Sequence, residues 1–258
     1  MIALQPVLTL EERLDNMQKA LDEGFPFLKK AAEFHDGRMS IVGYGPSLRD
    51  TWRSIQHPMI ATSGAYDFLL ERGVVPDFYT AIDPRKCTAA LLRNPQHETK
   101  YLMASVVHPD FWSILEGFDV TLWHAVYGMI ENMTQDDMKM LLWIGDHHNV
   151  GLESCIGGGS TVGQRAIVLA GAMGFRKFDI FGMDCSFMGH RHAGAHTGEE
   201  QHVETITVAN RKFRTTRQLF QSAQEMEKLL LTMDIETEFY GDGMLQEIAR
   251  IIKRKRNK

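Results

Sequence analysis

The stretch MSIVGYGPSL at residues 39–48 determines the fold class that the sequence predicts. Its apolar run, Met39–Gly43, leads directly into a turn built on Gly45 and Pro46, and residues that can start a helix follow. The same succession of apolar run, turn and helical segment recurs along the chain. Strands that alternate with helices need crossover connections, and these build a parallel sheet with helices on both faces.

The other apolar runs also end in or near Gly, Ser or Asp. They predict strands at Met59–Thr62, Phe78–Ile82, Tyr101–Ala104, Val120–Trp123 and Phe178–Gly182. Helices are predicted between them, at Ala65–Arg72, Cys87–Leu92, Phe111–Leu115, Gln135–Ile144 and Thr161–Met173. The predicted fold is a Rossmann-like three-layer α/β/α arrangement with a mostly parallel sheet, in which ligands bind at the carboxyl ends of the strands.

The two ends of the chain depart from this pattern. Helical spacing of apolar residues extends from about Thr9 to Phe34, with a break near Pro26 and a stop at Asp36-Gly37. Towards the other end the sequence predicts a hairpin, a long helix and a last strand, at Glu204–Thr216, Arg217–Met233 and Glu236–Tyr240. We therefore expect a helical N-terminal extension at residues 1–37 and one α/β domain at residues 38–258, which ends in the hairpin and helices.

Composition and charge exclude several classes of protein. The hydrophobic fraction of 44% and the charged fraction of 24% are typical of globular chains. The formal net charge of -5 argues against a nucleic-acid binder held mainly by charge, because neutralising phosphates needs a basic face. The basic run Lys253–Arg256 is interpreted as a solvated tail or as a contact with an acidic partner.

Cysteine usage and the N-terminus predict a cytoplasmic protein. Cys87, Cys155 and Cys185 are odd in number and widely spaced, which favours neither a disulfide framework nor a thiolate zinc site. The first residues lack the basic and apolar regions of a signal peptide, and no run approaches the roughly 18–20 apolar residues that cross a bilayer. The sequence is compatible with a homo-oligomer and leaves the oligomeric state open.

Two glycine-rich turns at predicted strand ends could let backbone amides approach an anion. The first, around Gly43 and Gly45, is either a phosphate site or a tight turn, and it lacks the spacing of the dinucleotide fingerprint. The second, Gly157–Thr161, opens a helix without the lysine of a P-loop, and it is either a nucleotide contact or a plain capped turn. We expect its glycines to supply amides and its Ser and Thr residues to cap the helix and add a hydroxyl.

Two acids and a histidine-rich loop add candidate side chains. Asp83 and Asp184 follow predicted strands, where a carboxylate can orient a ribose, bind a divalent cation or cap the next turn. The loop His190–His196 lacks the helical spacing of a metal site. We therefore interpret a histidine in it as a general base or as a cation that binds phosphate.

Taken in order, these segments resemble one family over about Met39 to His196. The resemblance is carried by Gly43-Tyr44-Gly45-Pro46-Ser47-Leu48, Ser63-Gly64-Ala65, Gly73-Val74-Val75-Pro76-Asp77-Phe78, Ala81-Ile82-Asp83-Pro84, Gly157-Gly158-Gly159-Ser160-Thr161, Gly174-Phe175-Arg176-Lys177, Gly182-Met183-Asp184 and His192-Ala193. The family is the 6-hydroxymethylpterin diphosphokinase-like domain, which also forms the core of the motility-accessory-factor flagellin glycosyltransferases.

The resemblance implies an α/β nucleotide-dependent transferase. Family members are similar in fold to bacterial sialyltransferases, which use CMP-activated sugars, and in motif to thiamin pyrophosphokinases. The diphosphokinase branch usually has an additional acid where this chain has only Asp83, followed by Pro84. This favours a glycosyltransferase-like enzyme with a CMP-activated, sialic-acid-like donor. The alternatives are a 6-hydroxymethylpterin-type pyrophosphokinase that uses ATP and Mg²⁺, and a non-catalytic nucleotide-binding module.

The expected partners are a small-molecule nucleotide and an acceptor that the sequence does not identify. The candidate donor-binding residues are Gly43, Gly45, Ser47, Ser63, Asp83, Gly158, Gly159, Ser160 and Thr161. The candidate catalytic residues are His192, His196 and Asp184. His192 is the candidate base that accepts a hydroxyl proton, and no residue is assigned as a dedicated metal ligand.

Overall fold

The computed structural model describes residues 8–126, 134–147, 154–190, 192–194 and 202–256. The strands are β1 (His35–Val42), β2 (Met59–Thr62), β3 (Phe78–Ala81), β4 (Lys100–Ala104), β5 (Val120–Ala125), β6 (Cys155–Ile156), β7 (Phe175–Phe181), β8 (Glu204–Val208), β9 (Arg211–Thr215) and β10 (Glu236–Phe239). The helices are α1 (Leu10–Asp22), α2 (Leu48–Thr51), α3 (Ala65–Leu70), α4 (Lys86–Ala89), α5 (Asp110–Ile114), α6 (Gln135–His147), α7 (Val162–Ala172), α8 (Arg217–Thr232) and α9 (Met244–Arg256).

Eight strands form one parallel sheet in the order β10-β7-β1-β2-β3-β4-β5-β6. The chain proceeds outward from β1 to β6 and returns through α7, which places β7 on the other side of β1. The strand order therefore reverses beside β1, where ligands bind in open α/β sheets. Strands β8 and β9 form a separate antiparallel hairpin. The architecture confirms the predicted fold class.

Alternate side chains of the strands fill two cores, one on each face of the sheet. In β1, Met39 and Ile41 belong to the core that residues of α7, α8 and α9 join, whereas Val42 belongs to the other. In β7, Ile180 and Phe181 divide between the two cores in the same way. The sequences of the strands are continuous apolar runs because both faces of the sheet are covered.

The second helical run predicted after Pro26 is wrong. Residues 25–34 contain no helix, and Leu28 donates its amide to the Leu122 carbonyl of β5 at 2.8 Å. Strand β1 begins at His35 and passes through the Asp-Gly pair that was expected to stop the helix. The partner strand β6 has only two residues, so the rest of this edge of β5 offers backbone partners to an extended segment. A helix of about ten residues is marginal on its own and needs tertiary packing to be stable, so the bonds to β5 are the more favourable arrangement here.

Most of the other predicted elements are confirmed, with boundaries shifted by a few residues. The hairpin turns at Ala209-Asn210, and the last strand pairs with β7. Strand β6 was not predicted, because two residues are too few to show a periodic pattern, and α2 begins where a helix start was expected but given no bounds. The division into units at residues 1–37 and 38–258 stays a prediction. Among the described residues, none of the helices combines the length and apolar composition that a bilayer crossing requires.

Candidate functional site

The loop after β1 packs directly against the loop after β7. The amide of Gly43 donates to the Phe181 carbonyl at 2.8 Å, and that of Gly45 donates to the Gly182 carbonyl at 2.7 Å. A Cβ on Gly43 would lie 2.5 Å from the Gly182 oxygen, so the close approach of the two loops itself requires glycine. These two amides bond within the protein, and their assignment to a nucleotide stays a prediction.

Asp184 lies beneath this loop and is only 2% exposed. Its Oδ2 accepts the amide of Ser47 at 3.0 Å. Burial raises the pKa of the carboxyl, and hydrogen bonding to Ser47 acts in the opposite direction. On the other side a Cβ on Gly243 would lie 2.8 Å from Oδ1, so the carboxyl is closely packed. A substrate could reach Asp184 or Ser47 only if this packing opened, and their roles in the site stay predictions.

Tyr44 and Ser63 lie half-buried on the neighbouring strand ends. Ser63 follows β2 with a φ of +50°, a left-handed conformation that residues other than glycine adopt at an energetic cost, often at functional sites. A Cβ on Gly64 would lie 2.5 Å from Cε1 of Tyr44, so glycine is needed for this contact too. Backbone strain thus coincides with the edge of the sheet at which the sequence predicts a ligand.

The segment His192–Gly194 crosses the first loop. The ring of His192 stacks on Tyr44, with centroids 5.5 Å apart and planes inclined by 16°. Ala193 donates its amide to the Tyr44 carbonyl at 3.0 Å, and its carbonyl accepts a hydrogen bond from Nε of Arg49. His192 therefore lies at the carboxyl edge of the sheet, a position compatible with a base. His196 lies outside the described residues.

Asp83 follows β3, and Arg85 binds its carboxylate. Nε of Arg85 donates to Oδ1 at 2.9 Å, and a second nitrogen contacts Oδ2 at 2.5 Å. The side chain of Asp83 is 32% exposed, so a ligand can reach it. Strands β3 and β7 are separated by β1 and β2, which corresponds to about 14 Å between strand axes. The structure therefore does not bring Asp83 and Asp184 into one cluster.

The glycine-rich turn after β6 leads into α7. Gly158 and Gly159 have φ angles of +107° and +116°, a region in which only glycine is unstrained. Thr161 caps α7 in a reciprocal box with Gln164. Ser160 donates its amide and its hydroxyl to Oε2 of Glu225 on α8, at 2.9 and 2.6 Å. A carboxylate of the protein itself thus accepts the donors that the sequence assigns to a phosphate.

Arg165 is a site residue that the sequence analysis missed. It is 1% exposed, and its guanidinium donates to the carbonyls of Gly159 at 2.8 Å, Val126 and Ile156. These bonds attach the glycine-rich turn to the ends of β5 and β6, so Arg165 positions the turn. Its position in the apolar stretch Arg165–Met173 was the one available signal, because buried arginines are rare unless their donors are bonded.

Met183 lies between the loop after β1 and the start of α7. A Cβ on Gly43 would lie 2.9 Å from Cγ of Met183, and a Cβ on Gly163 would lie 2.8 Å from its Cε. The turn after β1 and the start of α7 are therefore at the same edge of the sheet. Among the described residues, the amides of Gly158 and Gly159 have no hydrogen-bond acceptor. Within the same residues, no group of three or more His, Cys, Asp or Glu side chains could hold a metal ion.

An all-parallel sheet with glycine-rich loops at its carboxyl edge defines an α/β protein of the Rossmann-like class. A comparison with protein families matches residues 11–190 to the family described as 6-hydroxymethylpterin diphosphokinase MptE-like. The match covers more than half of the chain, and the chain belongs to this family. Membership confirms the family that the ordered motifs predict, and it supports a transferase.

The solved structure of the MAf glycosyltransferase from Magnetospirillum magneticum AMB-1 is similar to the chain. The TM-score is 0.64 at 17% sequence identity, and the likeness covers 99% of this chain and 43% of that one. At this identity the likeness shows a shared fold, and the chain spans less than half of the length of the glycosyltransferase. No curated protein matches the chain.

Proposed function

We propose that the chain is a nucleotide-dependent transferase that uses a CMP-activated, sialic-acid-like sugar donor at the carboxyl edge of its sheet. The observation that carries the proposal is the turn at Gly158 and Gly159. Its backbone requires glycine, its amides have no acceptor among the described residues, and it leads into the start of α7 beside the loop after β1. Amides at a helix start are suited to bind a phosphate.

In this proposal the donor binds through its phosphate and its ribose. The amides of Gly158 and Gly159, with the hydroxyl of Ser160 once Glu225 releases it, hold the phosphate. Ser63 and Asp83 lie on neighbouring strand ends, where they contact ribose hydroxyls. Since Asp83 is bonded to Arg85, binding the ribose exchanges a charge-assisted contact for hydrogen bonds to hydroxyls.

His192 is the proposed base. The acceptor hydroxyl attacks the anomeric carbon of the sugar, the bond from that carbon to the phosphate oxygen of CMP breaks, and the hydroxyl proton passes to His192. CMP leaves with the electron pair of the broken bond. Stacking on Tyr44 and the hydrogen bonds of Ala193 hold the segment that carries His192 over the first loop.

The family match favours a second candidate, a diphosphokinase that uses ATP and Mg²⁺. Mg²⁺ is usually held by one or two carboxylates together with the substrate phosphates. Asp83 is the accessible carboxylate that fits this requirement, provided that it gives up its bond to Arg85, whereas Asp184 is too buried to contribute. When bound, Mg²⁺ would neutralise the charge of the transferred group. With one accessible carboxylate among the described candidate residues, this candidate is supported less well than the CMP-sugar proposal.

Calorimetry and product analysis distinguish the candidates. The purified chain is titrated with CMP and, separately, with ATP and Mg²⁺, and is then incubated with CMP-sialic acid or with ATP, Mg²⁺ and 6-hydroxymethylpterin. Binding of CMP and release of CMP from the sugar nucleotide support the proposal. Release of AMP that depends on the pterin overturns it in favour of the diphosphokinase, and binding of CMP without turnover indicates the non-catalytic module.

A pair of histidine variants tests the assignment of the base. His192→Ala is expected to lower the rate of CMP release about 100-fold or more while CMP affinity changes little, since general base catalysis contributes about 10²–10⁴-fold. His190→Ala is the matched control, because His190 is exposed two residues away in the chain. Equal rates for the two variants would remove His192 from the mechanism.

A further inference from the structure

At the loop after β1, three buried side-chain oxygens have no hydrogen-bond partner among the described residues. They are Oδ1 of Asp184, Oε1 of Gln246 and Oγ of Ser47. Their residues are 2%, 1% and 1% exposed. A Cβ on Gly243 would lie 2.8 Å from Oδ1 of Asp184 and also 2.8 Å from Oε1 of Gln246, so these two oxygens surround one point. The carboxyl group on the loop after β7 and the amide oxygen on α9 therefore lie within about 5.6 Å of each other.

The orientation of the Gln246 amide is determined by its other end. Nε2 donates to the carbonyl of Tyr240 at 3.1 Å, which leaves Oε1 on the side of Asp184. Reversing the amide would leave the Tyr240 carbonyl opposite an oxygen. Oδ2 of Asp184 already accepts the amide of Ser47. Oδ1 of Asp184 and Oε1 of Gln246 are both acceptors, and a hydrogen on the carboxyl would join them, whereas the hydroxyl of Ser47 can itself donate.

The charge state of Asp184 depends on whether a positively charged group lies beside its carboxylate. Among the described residues, none forms an ion pair with it. The neighbouring thiol of Cys185 is neutral, since burial raises its pKa to about 12. Two arginines near the start of α9 are themselves paired with acids: Arg211 of β9 and Arg250 of α9 bind Asp242 and Glu247.

The packing favours a proton over an ion as the partner. The position of a Cβ on Gly45 overlaps Oδ2, and that of a Cβ on Gly243 lies close to Oδ1, so backbone covers the carboxyl from both sides. A proton needs no additional volume, whereas a cation would need further oxygen ligands around it. Burial of a carboxylate without a balancing charge is unfavourable, and such a group takes up a proton instead.

We propose that Asp184 is protonated at neutral pH and that its hydroxyl supplies the hydrogen-bond donor that Oε1 of Gln246 lacks. The bond joins α9 to the loops after β1 and β7, and it does not depend on which substrate the chain uses. Burial, which raises the pKa of Asp184 against the opposing effects of Ser47 and Gln246, acts in the same direction. Loss of the proton in alkaline solution places two acceptors against each other and weakens the attachment of α9.

The pH dependence of one ratio measures how much the proton on Asp184 stabilises the fold. This ratio is the unfolding constant of the wild type divided by that of Asp184→Asn. The asparagine amide can donate to Oε1 and accept from Ser47, but it does not titrate. Because the folded pKa is raised, the stability that the proton provides is complete below the unfolded pKa, near 4, and is lost as the pH rises towards the folded value. The ratio is expected to rise by up to tenfold per pH unit, and to continue rising above pH 7. A ratio that is constant between pH 5 and pH 8 overturns the proposal.

Asp242→Asn is the control for the sign of the effect. Asp242 lies on the loop that leads into α9, and Arg211 and Arg250 lower its pKa. Its contribution to stability is therefore lost as the pH falls through the folded pKa, the opposite direction from Asp184. The wild-type unfolding constant is divided by that of each variant in turn. If the two ratios depended on pH in the same way, the dependence would not be specific to Asp184, which would contradict the proposal.

Infrared spectroscopy gives a readout that does not depend on folding of the variant. Wild-type protein labelled with ¹³C at the aspartate side-chain carboxyls is expected to show the C=O stretch of a protonated carboxylic acid at pH 7. If Asp184→Asn folds, it lacks this band. If the variant does not fold, Gln246→Met serves instead and shifts the loss of the band to lower pH. Absence of the band at pH 7, or a stoichiometric metal ion released with Asp184→Asn, overturns the proposal.

Discussion

At the scale of single residues, the glycines of the two turns serve different purposes. Gly43 and Gly45 allow two loops to approach each other, and their amides are bonded inside the protein. Gly158 and Gly159 adopt positive φ angles, and their amides have no acceptor among the described residues. The same residue type therefore marks a packing contact in the first loop and a candidate anion site in the second.

Glu225 is expected to weaken the binding of an anion at the second turn. Its carboxylate accepts both donors of Ser160 and adds negative charge near the start of α7. Glu225→Gln keeps the shape and removes the charge, so the affinity for CMP is expected to rise about two- to fivefold, which corresponds to about 0.3–1 kcal/mol for a charge at a helix terminus. Calorimetry at low ionic strength measures this change.

Glu227→Gln is the matched control for this prediction. Glu227 lies on the same helix two residues further on, and it is half-buried like Glu225. Its substitution changes the net charge equally without touching Ser160. Equal gains in affinity for both variants would mean that the overall charge, and not the contact with the turn, controls binding.

At the scale of elements, the start of α7 combines local and tertiary contributions. The box between Thr161 and Gln164 caps the helix from within the chain. Arg165 attaches the preceding turn to β5 and β6, and Gln164 donates to the Ser222 carbonyl of α8 at 2.7 Å. These contacts hold the turn in place without a ligand, so the proposed binding of a phosphate would cost little conformational entropy.

A pair of glycine substitutions separates backbone strain from close contact. Gly73 has a φ of +74° and nothing within 4 Å of an added Cβ, whereas at Gly158 an added Cβ would overlap Val168. Gly73→Ala is expected to destabilise the protein by about 1 kcal/mol through strain alone. Gly158→Ala is expected to cost a further 1–3 kcal/mol or so through overpacking. Urea unfolding measures both, and equal losses would show that the turn yields to the added methyl group.

At the scale of the whole molecule, the sheet brings distant parts of the chain together beside β1. Arg38 of β1 donates to Oδ1 of Asp179 in β7 at 2.8 Å and also bonds Glu236 of β10. One side chain thus connects three adjacent strands whose residues are about 200 positions apart at the extremes. This connection ties the C-terminal strand and α9 to the part of the sheet that carries the first loop.

Removal of the Arg38 side chain tests this connection. Arg38→Met is expected to destabilise the protein by about 1–3 kcal/mol, because the side chain of Asp179 is only 13% exposed and loses its charged partner. Lys253→Met, which breaks an exposed pair with Glu238, is expected to cost less than about 1 kcal/mol. Urea unfolding of both variants provides the comparison. A larger loss for Lys253→Met would contradict the assigned role of Arg38.

Local patterns in the sequence were sufficient for most of the fold. Strand β2 was predicted at its observed bounds, and the hairpin, α8 and the order of strands and helices follow from apolar runs, β-forming residues and turn residues. These signals are local, because a strand covered on both faces must be apolar along its length and a hairpin needs a turn. The family also follows from local motifs read in order.

Only the tertiary structure decided how the candidate site is arranged. It showed residues 25–34 without a helix and with Phe27 and Leu28 beside β5, covered Asp184 with α9, and placed Asp83 two strands away from the loop that holds Ser47. It also revealed Arg165 beneath the glycine-rich turn. Burial, the direction of an amide and the partner of a carboxylate depend on residues far away in the chain. The sequence by itself therefore determines which residue types lie at the strand ends. Their accessibility and their charge state depend on the packing of distant segments.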